Sequence, residues 1–362
     1  MDNDTLPIVN SHTEWDLLEE IIVGNPENAV FLLWDPVEQI IFSDAEKQKI
    51  AQSLPLDTPY PKEYIDAAKR DLAEFIHILE AEGVNVRLGD VVDNYKMPFS
   101  TPDWKVACGV SAMNPRDLFM VIGNEILETP GAARSRYFEA RAYRRLFREY
   151  FNAGAKWSAA PRPLLLDELY DSDYGQNLAK QGQTYCLTNA EPVFDAADFV
   201  RCGRDIFGQL SHVTNQSGVD WLQRHLGDNY RIHLIRNRDP KALHIDTGFM
   251  PLAPGKVLVN PEFLDVGALP SILHSWEILV APQPVPYRTK PKVMSDWISI
   301  NTLMLDEKRI VVERRQEPLI SALKKWGFEP IPCSFENHYP FGGGFHCATL
   351  DIRRRGELQS YF

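Results

Sequence analysis

The run FGGGFHC at 341–347 sets a thiol, Cys347, just after three glycines and one histidine, His346. Glycine adopts backbone angles denied to other residues and lets a substrate come close to the main chain. A cysteine just beyond such a run is a candidate nucleophile. Neighbouring side chains of an extended segment point to opposite faces, which argues against His346 as the base serving Cys347. The plain alternative is a glycine turn entering a final strand, CATLDIRRR, with a buried and inert thiol.

A second cluster is His244 and Asp246 in ALHIDTGF. In an extended segment these two positions share a face, which would set an imidazole beside a carboxylate. That pair suits a proton-transfer base next to an anion able to hold a cation. On spacing alone, a hydrogen-bonded histidine at a strand end is the default reading. Asp195 and Asp198 in EPVFDAADFVRCGRD lie in apolar surroundings, where a carboxylate is expensive to bury unpaired. They face solvent, cap a turn or hold something positive. Asp117, in MNPRDLFMVIGNEI, comes just before an apolar strand, where a solvated loop acid is the default. Together these residues permit covalent thiol catalysis of the Cys–His–Asp kind. The surplus carboxylates fit a planar cation with many donors, such as a guanidinium.

The chain of 362 residues is 44% hydrophobic and 24% charged, which is ordinary globular composition. Its net charge of −12 argues against nucleic acid or an anionic membrane as partner. No apolar run approaches the roughly 20 residues that span a bilayer. The first residues, MDNDTLPIVNSHTEWD, carry no evident leader, so a cytoplasmic protein is expected. The five cysteines are scattered without a CxxC pair, which speaks against a zinc site or a disulfide framework. The triple arginine at 353–355 reads as a solvated or ion-paired turn.

Around these residues one unit recurs five times: a strand or hairpin, a connection, a helix, and a closing strand. Opening strands are expected at 20–23, 118–127, 205–210, 256–259 and 309–312. Apolar residues at helical spacing predict helices at 61–81 and 134–153, with shorter ones at 215–225, 269–274 and 317–326. Closing strands follow at 84–88, 155–159, 230–235, 277–281 and 328–332. The pattern fits either an open α/β sheet or a closed ring of ββαβ blades. Neither GxGxxG nor GxxxxGK[ST] occurs, so a nucleotide-binding sheet lacks its signature. No proline-rich stretch reads as a linker. An N-terminal tail of residues 1–8 and one domain over 9–362 are expected.

At these same residues the chain strongly resembles the L-arginine amidinotransferases. The likeness runs through EWDLLEEIIVG, NPRDLFMVIGNEILETP, SRYFEARAYR, GAKWSAAPRP, EPVFDAADFVRCGRDIFGQ, HIDTGFMPLAPGKVLVNP, NTLMLDEKR and GGGFHCATLDIRRRGELQSYF. The resemblance implies an α/β pentein fold: a single-domain, five-bladed propeller with pseudo-fivefold symmetry. It implies Cys347 as nucleophile, His244 as acid and base, and Asp195 as the carboxylate orienting that histidine. Asp117 and Asp246 would grip the guanidinium, and Ser295 would contact substrate.

The resemblance further implies transfer of an amidino group from arginine through a covalent isothiouronium to an acceptor amine, with release of ornithine. No metal or organic cofactor is expected, the partners are small molecules, and a homodimer is expected. The likeness is greatest to the saxitoxin-pathway enzymes, in GRDIFGQ, PLAPGK and NPEF, which points to guanidino natural-product synthesis. Phe263 stands where the creatine-pathway enzymes carry an arginine that meets a substrate carboxylate. Gly248 replaces a threonine and Leu243 a methionine, so the acceptor end of the pocket is expected to be reshaped. A glycine amidinotransferase and a deiminase-type hydrolase of the same superfamily are the alternatives.

Overall fold

The computed structural model describes residues 7–31, 35–94, 96–174 and 185–362. Of the expected tail, residues 1–6 therefore lie outside the described residues, whereas Ile8 packs against a buried cluster. Five three-stranded sheets organise the rest, each with an inner strand antiparallel to a middle strand that pairs in parallel with an outer one. The first sheet joins the two ends of the chain: Thr349–Arg355 pairs with Leu17–Val23, which pairs with Asn85–Leu88. The others follow in order along the sequence. They comprise Phe119–Ile122, Glu125–Glu128 and Lys156–Ala159, then Phe199–Cys202, Asp205–Gly208 and Arg231–Leu234. Phe249–Ala253, Lys256–Val259 and Glu277–Val280 form the fourth, and Leu303–Met304, Arg309–Glu313 and Glu329–Cys333 the fifth.

A parallel pair needs a crossover, and helices supply most of them. Lys62–Ala81 serves the first sheet and buries Ile65, Ala68, Leu72, Phe75 and Leu79, one stripe at helical spacing. Gln216–Leu226, capped by the Asn215 side chain on Gly218 N, serves the third, and Glu317–Lys325 the fifth. In the second unit the expected helix over 134–153 is broken. Arg134–Arg136 and Glu139–Ala142 are 3-10 turns, and only Arg144–Asn152 is α-helical. The turns fold the chain so that Arg136 and Glu139 reach the site described below. In the fourth unit the expected helix over 269–274 is the 3-10 segment Ser271–Ser275. The opening run over 118–127, where a strand or hairpin is expected, is a hairpin of Phe119–Ile122 and Glu125–Glu128. Two further helices, Pro36–Ile41 and Asp44–Ala51, carry no sequence expectation.

Inner strands such as Phe119–Ile122 and Phe199–Cys202 are buried along their whole length. The outer strands Asn85–Leu88, Lys156–Ala159 and Arg231–Leu234 are exposed at both ends. Apolar clusters lie between successive units. One joins the first and second through Ile22, Phe119 and Leu350, and one joins the second and third through Met120, Phe199 and Ile206. A larger one spans the third to fifth through Phe207, Phe249 and Ile310, and another brings the fifth back to the first through Ile21, Phe75 and Val311.

A short turn precedes each inner strand: Pro115–Leu118, Ala196–Asp198, Ile245–Thr247, Asp296–Ile300 and the turn at 345–348. Because the inner strands converge, these five turns meet, and they or their flanking residues carry the chemically capable side chains.

The triple arginine lies on the inner strand of the first sheet and forms no turn. Arg354 is wholly buried, with Nε 2.8 Å from Asp351 Oδ2, while Arg353 and Arg355 pair with Glu19. No helix among the described residues is long and apolar enough to cross a membrane.

Candidate active site

A cavity of about 510 Å3 opens onto the meeting point of the turns, and Cys347, His244, Asp117 and Asp246 line it. Each comes from a different local device. Asp117 sits in the one-turn helix started by Pro115, whose ring presets the backbone angle there. His244 flanks and Asp246 lies within the 3-10 turn Ile245–Thr247. Cys347 follows the glycine run, and two of those glycines are there for closeness. A Cβ on Gly343 would lie 2.4 Å from Asn114 Oδ1 and 2.8 Å from Cys347 Cβ. A Cβ on Gly344 would lie 2.8 Å from Asn301 Oδ1. Any side chain at either position would push an asparagine away from the thiol.

His244 Nε2 lies 3.1 Å from Asp195 Oδ2, and His244 Nδ1 lies 3.6 Å from Asp117 Oδ1. One ligand atom each of His244, Asp117 and Cys347 falls within 4.8 Å of the others, a grouping that could also hold a metal ion. The thiol lies 3.4 Å from Asp246 Oδ2, and Asn301 Nδ2 donates to its sulfur at 3.2 Å. The Cys347 amide donates to Asn301 Oδ1 at 3.0 Å, so one asparagine fixes both backbone and sulfur. Asp117 is anchored from behind by Arg136 Nη1 at 2.8 Å, and Glu139 holds that guanidinium through two oxygens at 2.7 and 3.0 Å.

His244 and Asp246 do not form the mutual pair their spacing suggested. The segment is a turn, and it sends His244 to Asp195 and Asp246 to His346 Nδ1 at 2.8 Å. His346 and Cys347 likewise do not diverge, because that segment is also a turn and both side chains reach Asp246 Oδ2. His346 stays clear of the thiol even so; its Nε2 faces Glu14 Oε2 at 3.2 Å. Behind it lies a wholly buried ion network: Arg201 on Glu14 and Asp351, Arg116 on Asp351, and Arg354 on Asp351. Removing one member of such a network strands the others, so it fixes the turns rigidly in place.

The electrostatics follow from this crowding. Burial pushes the Cys347 thiol up to about 12; the Asp246 charge adds to that, and the hydrogen bond from His244 opposes it. For His244 burial alone would lower the pKa, but Asp117, the Asp195 hydrogen bond and the Cys347 contact outweigh it and raise it well above the ordinary value. Burial also raises Asp117, against His244 and Arg136. Asp246 ends below the usual range because His346 outweighs its burial. The resting site is therefore a protonated thiol beside two carboxylates whose charge is only partly answered. Asp117 Oδ1 and Asp246 Oδ1 are both buried with no hydrogen-bond partner, as is Asn114 Oδ1. Buried acceptors without donors are rare in folded proteins, and two such carboxylate oxygens in one cavity with a thiol fit a ligand rich in N–H groups.

The remaining expected positions divide. Leu243, Phe263 and Ser295 line the cavity, while Gly248 does not, being packed against Ile245 and Leu264. Ser295 also caps the 3-10 turn that follows it, accepting from Trp297 N. Asp198 is buried beside Asp195, accepts from Gln209 and Ser211, and is pushed up to about 7 by that burial. Asn114, Arg136, Glu139, Asn301 and Glu14 belong to the site or its support without a sequence expectation. A neutral asparagine carries no signal of its own. The proximity of 114 and 301 to 347 exists only in the fold.

No protein-family model matches the chain. Individual relatives do. The chain is 48% identical over 354 residues to the L-arginine:L-lysine amidinotransferase of Pseudomonas savastanoi pv. phaseolicola, covering 98% of this chain and 96% of that one. It is 42% identical over 375 residues to the mitochondrial glycine amidinotransferase of Gallus gallus, covering 98% and 85%. Its structure matches an amidinotransferase of the saxitoxin biosynthetic pathway from Microseira wollei with a TM-score of 0.90. That match is at 57% identity and covers 98% of this chain and 100% of the other. On relatives this similar across nearly its whole length, the chain belongs to the amidinotransferase family.

Proposed function

We propose that the protein moves the amidino group of L-arginine onto Cys347 and from there to an acceptor amine. The observation that carries this reading is the pair of donor-less carboxylate oxygens, Asp117 Oδ1 and Asp246 Oδ1, on two acids that line the cavity together with the thiol. A guanidinium beside them supplies the missing donors and cancels the negative field that adds to burial in holding the thiol protonated. Once His244 has lost the proton that its raised pKa holds, the thiol gives its own proton to the imidazole, and the sulfur attacks the guanidinium carbon. His244 returns the proton to the departing nitrogen, the C–N bond breaks, and ornithine leaves an isothiouronium on Cys347. The acceptor amine attacks the same carbon and gives a proton to His244, and the C–S bond breaks to restore the thiolate. Asp195 keeps the imidazole oriented throughout. Every step is a proton transfer or a displacement, and one cavity serves two amines in turn, so the kinetics are ping-pong.

The relatives' names support arginine as donor and guanidino natural-product synthesis as the setting. The packing of each unit on the next, including the fifth on the first, supports a closed five-bladed ring over residues 9–362. We place the enzyme in the cytoplasm as a homodimer. Ornithine assays with arginine, with and without added amine, test the reading. Transfer requires that steady ornithine release depend on the amine; release with urea in plain buffer would make the protein a hydrolase instead.

A further inference from the structure

Among the described residues, two side chains donate hydrogen bonds to the Cys347 sulfur: His244 and Asn301. The imidazole gives or takes a proton in every step of the reaction, so its donor comes and goes. Asn301 has no proton to lose at neutral pH, and its donor is present throughout.

The Asn301 amide is locked in one orientation. Its Oδ1 accepts from the Cys347 amide at 3.0 Å, and a flip would set the NH2 group against that N–H. Nδ2 therefore faces the sulfur at 3.2 Å, and the same side chain also hydrogen-bonds Asp246. The backbone is held between two of the converging turns. Asn301 N donates to Ile298 O at 3.0 Å, and Asn301 O accepts from His346 N at 3.4 Å. The residue is 1% exposed and stands outside the cavity lining. It reaches the reacting atom from behind, away from the space that receives the guanidinium.

The sulfur does not stay the same acceptor. As a thiol or an isothiouronium it accepts weakly, whereas hydrogen bonds to an ionised group are roughly twice as strong. The Asn301 contact therefore strengthens as negative charge appears on sulfur, before the attack on arginine and again as the C–S bond breaks. It acts against the Asp246 carboxylate, whose Oδ2 lies 3.4 Å from the same atom.

We infer that Asn301 is a catalytic residue whose NH2 group stabilises the charge developing on the Cys347 sulfur in both half-reactions, without binding either substrate. This rests on the transfer reading above.

The test joins steady-state kinetics to alkylation of Cys347 by iodoacetamide, read by peptide mass at one mildly alkaline pH in the absence of arginine. Asn301→Ala should lower kcat about tenfold and leave the KM for arginine within about twofold. Alkylation should slow several-fold as well. That sign separates charge from packing, because a site merely loosened by the lost side chain admits iodoacetamide faster. Asn301→Leu, which fills the space but donates nothing, should behave like Asn301→Ala and keeps the test open if the smaller residue unfolds the chain. Alkylation as fast as in the wild type, or faster, in the folded variants overturns the inference. So does a tenfold rise in the KM for arginine with kcat unchanged, which would make Asn301 a support for Asp246 alone. If the wild type never gains an amidino group from arginine, the transfer reading has failed, and the alkylation rates still judge the donor to sulfur separately.

Discussion

At the buried end of the cavity Cys347 is held by Asn301 at both its amide and its sulfur, and His244 sits between two aspartates. Elsewhere in the cavity the half-buried side chains of Phe263, Val293 and Phe341 line the wall. The first region is over-determined. Five turns bring it together, and the ion network around Asp351 locks the turns from behind. The second rests on short helices and loops that connect strands within and between the units. A fold arranged this way keeps one reaction fixed while the residues that choose the second substrate vary at little cost to the core.

The sharpest way to break this contrast is at the thiol. Cys347→Ser should lower ornithine formation by about 10^4 or more, with the fold intact by circular dichroism. Activity retained within tenfold would move the chemistry elsewhere.

Asp246→Asn should cut kcat/KM for arginine roughly 100-fold, because a buried guanidinium loses its charged partner. The same change removes the carboxylate that helps hold the thiol up. Alkylation of Cys347 by iodoacetamide at mildly alkaline pH should therefore become faster while turnover falls. Slower alkylation would show that Asp246 does not set the thiol's ionisation.

Asp117 is the foremost group raising His244 against its burial. Productive attack needs one proton lost from the thiol–imidazole pair, so kcat/KM for arginine should climb with pH through the raised ionisation. Asp117→Asn should shift that climb to lower pH, besides weakening arginine binding. A shift to higher pH, or none, would refute the assignment. Asn301→Ala, which removes one neutral donor to sulfur, should cost roughly tenfold in kcat.

The smallest effect belongs to the half-exposed wall. Phe263→Arg should improve the use of glycine relative to pentylamine by only a few-fold, since the new guanidinium must compete with the surrounding acids. A complete switch to glycine would mean that Phe263 alone governs the choice of acceptor.

Much of this was legible in the sequence, and the parts that were not share physical reasons. The five units could be read because strand and helix periodicities alternate and glycine stops mark several of the helix ends. Cys347 stands out in the sequence by the glycine run before it, whereas the roles of His244 and Asp195 are what the resemblance to the amidinotransferases implies. Their pairings could not be read from spacing. Both HID and FHC fold as turns, where the alternation of a strand does not apply. The helix Pro36–Ile41 is six residues long, too short for a periodic signal, though Ser43 and Glu46 form a capping box that could have marked the next one. The run over 134–153 has helical spacing throughout, yet its first half is bent into 3-10 turns by the demands of Arg136 on Asp117 and of Arg134 on the Leu165 carbonyl.

The central claim is that Cys347 carries the amidino group between two amines, and intact-protein mass tests it most directly. Enzyme mixed with arginine and freed of small molecules should be heavier by one amidino group, absent in Cys347→Ser. Adding an acceptor amine should return the original mass with one equivalent of guanidinylated product. An enzyme that releases ornithine without ever gaining that mass, or gains it equally in Cys347→Ser, would contradict the account.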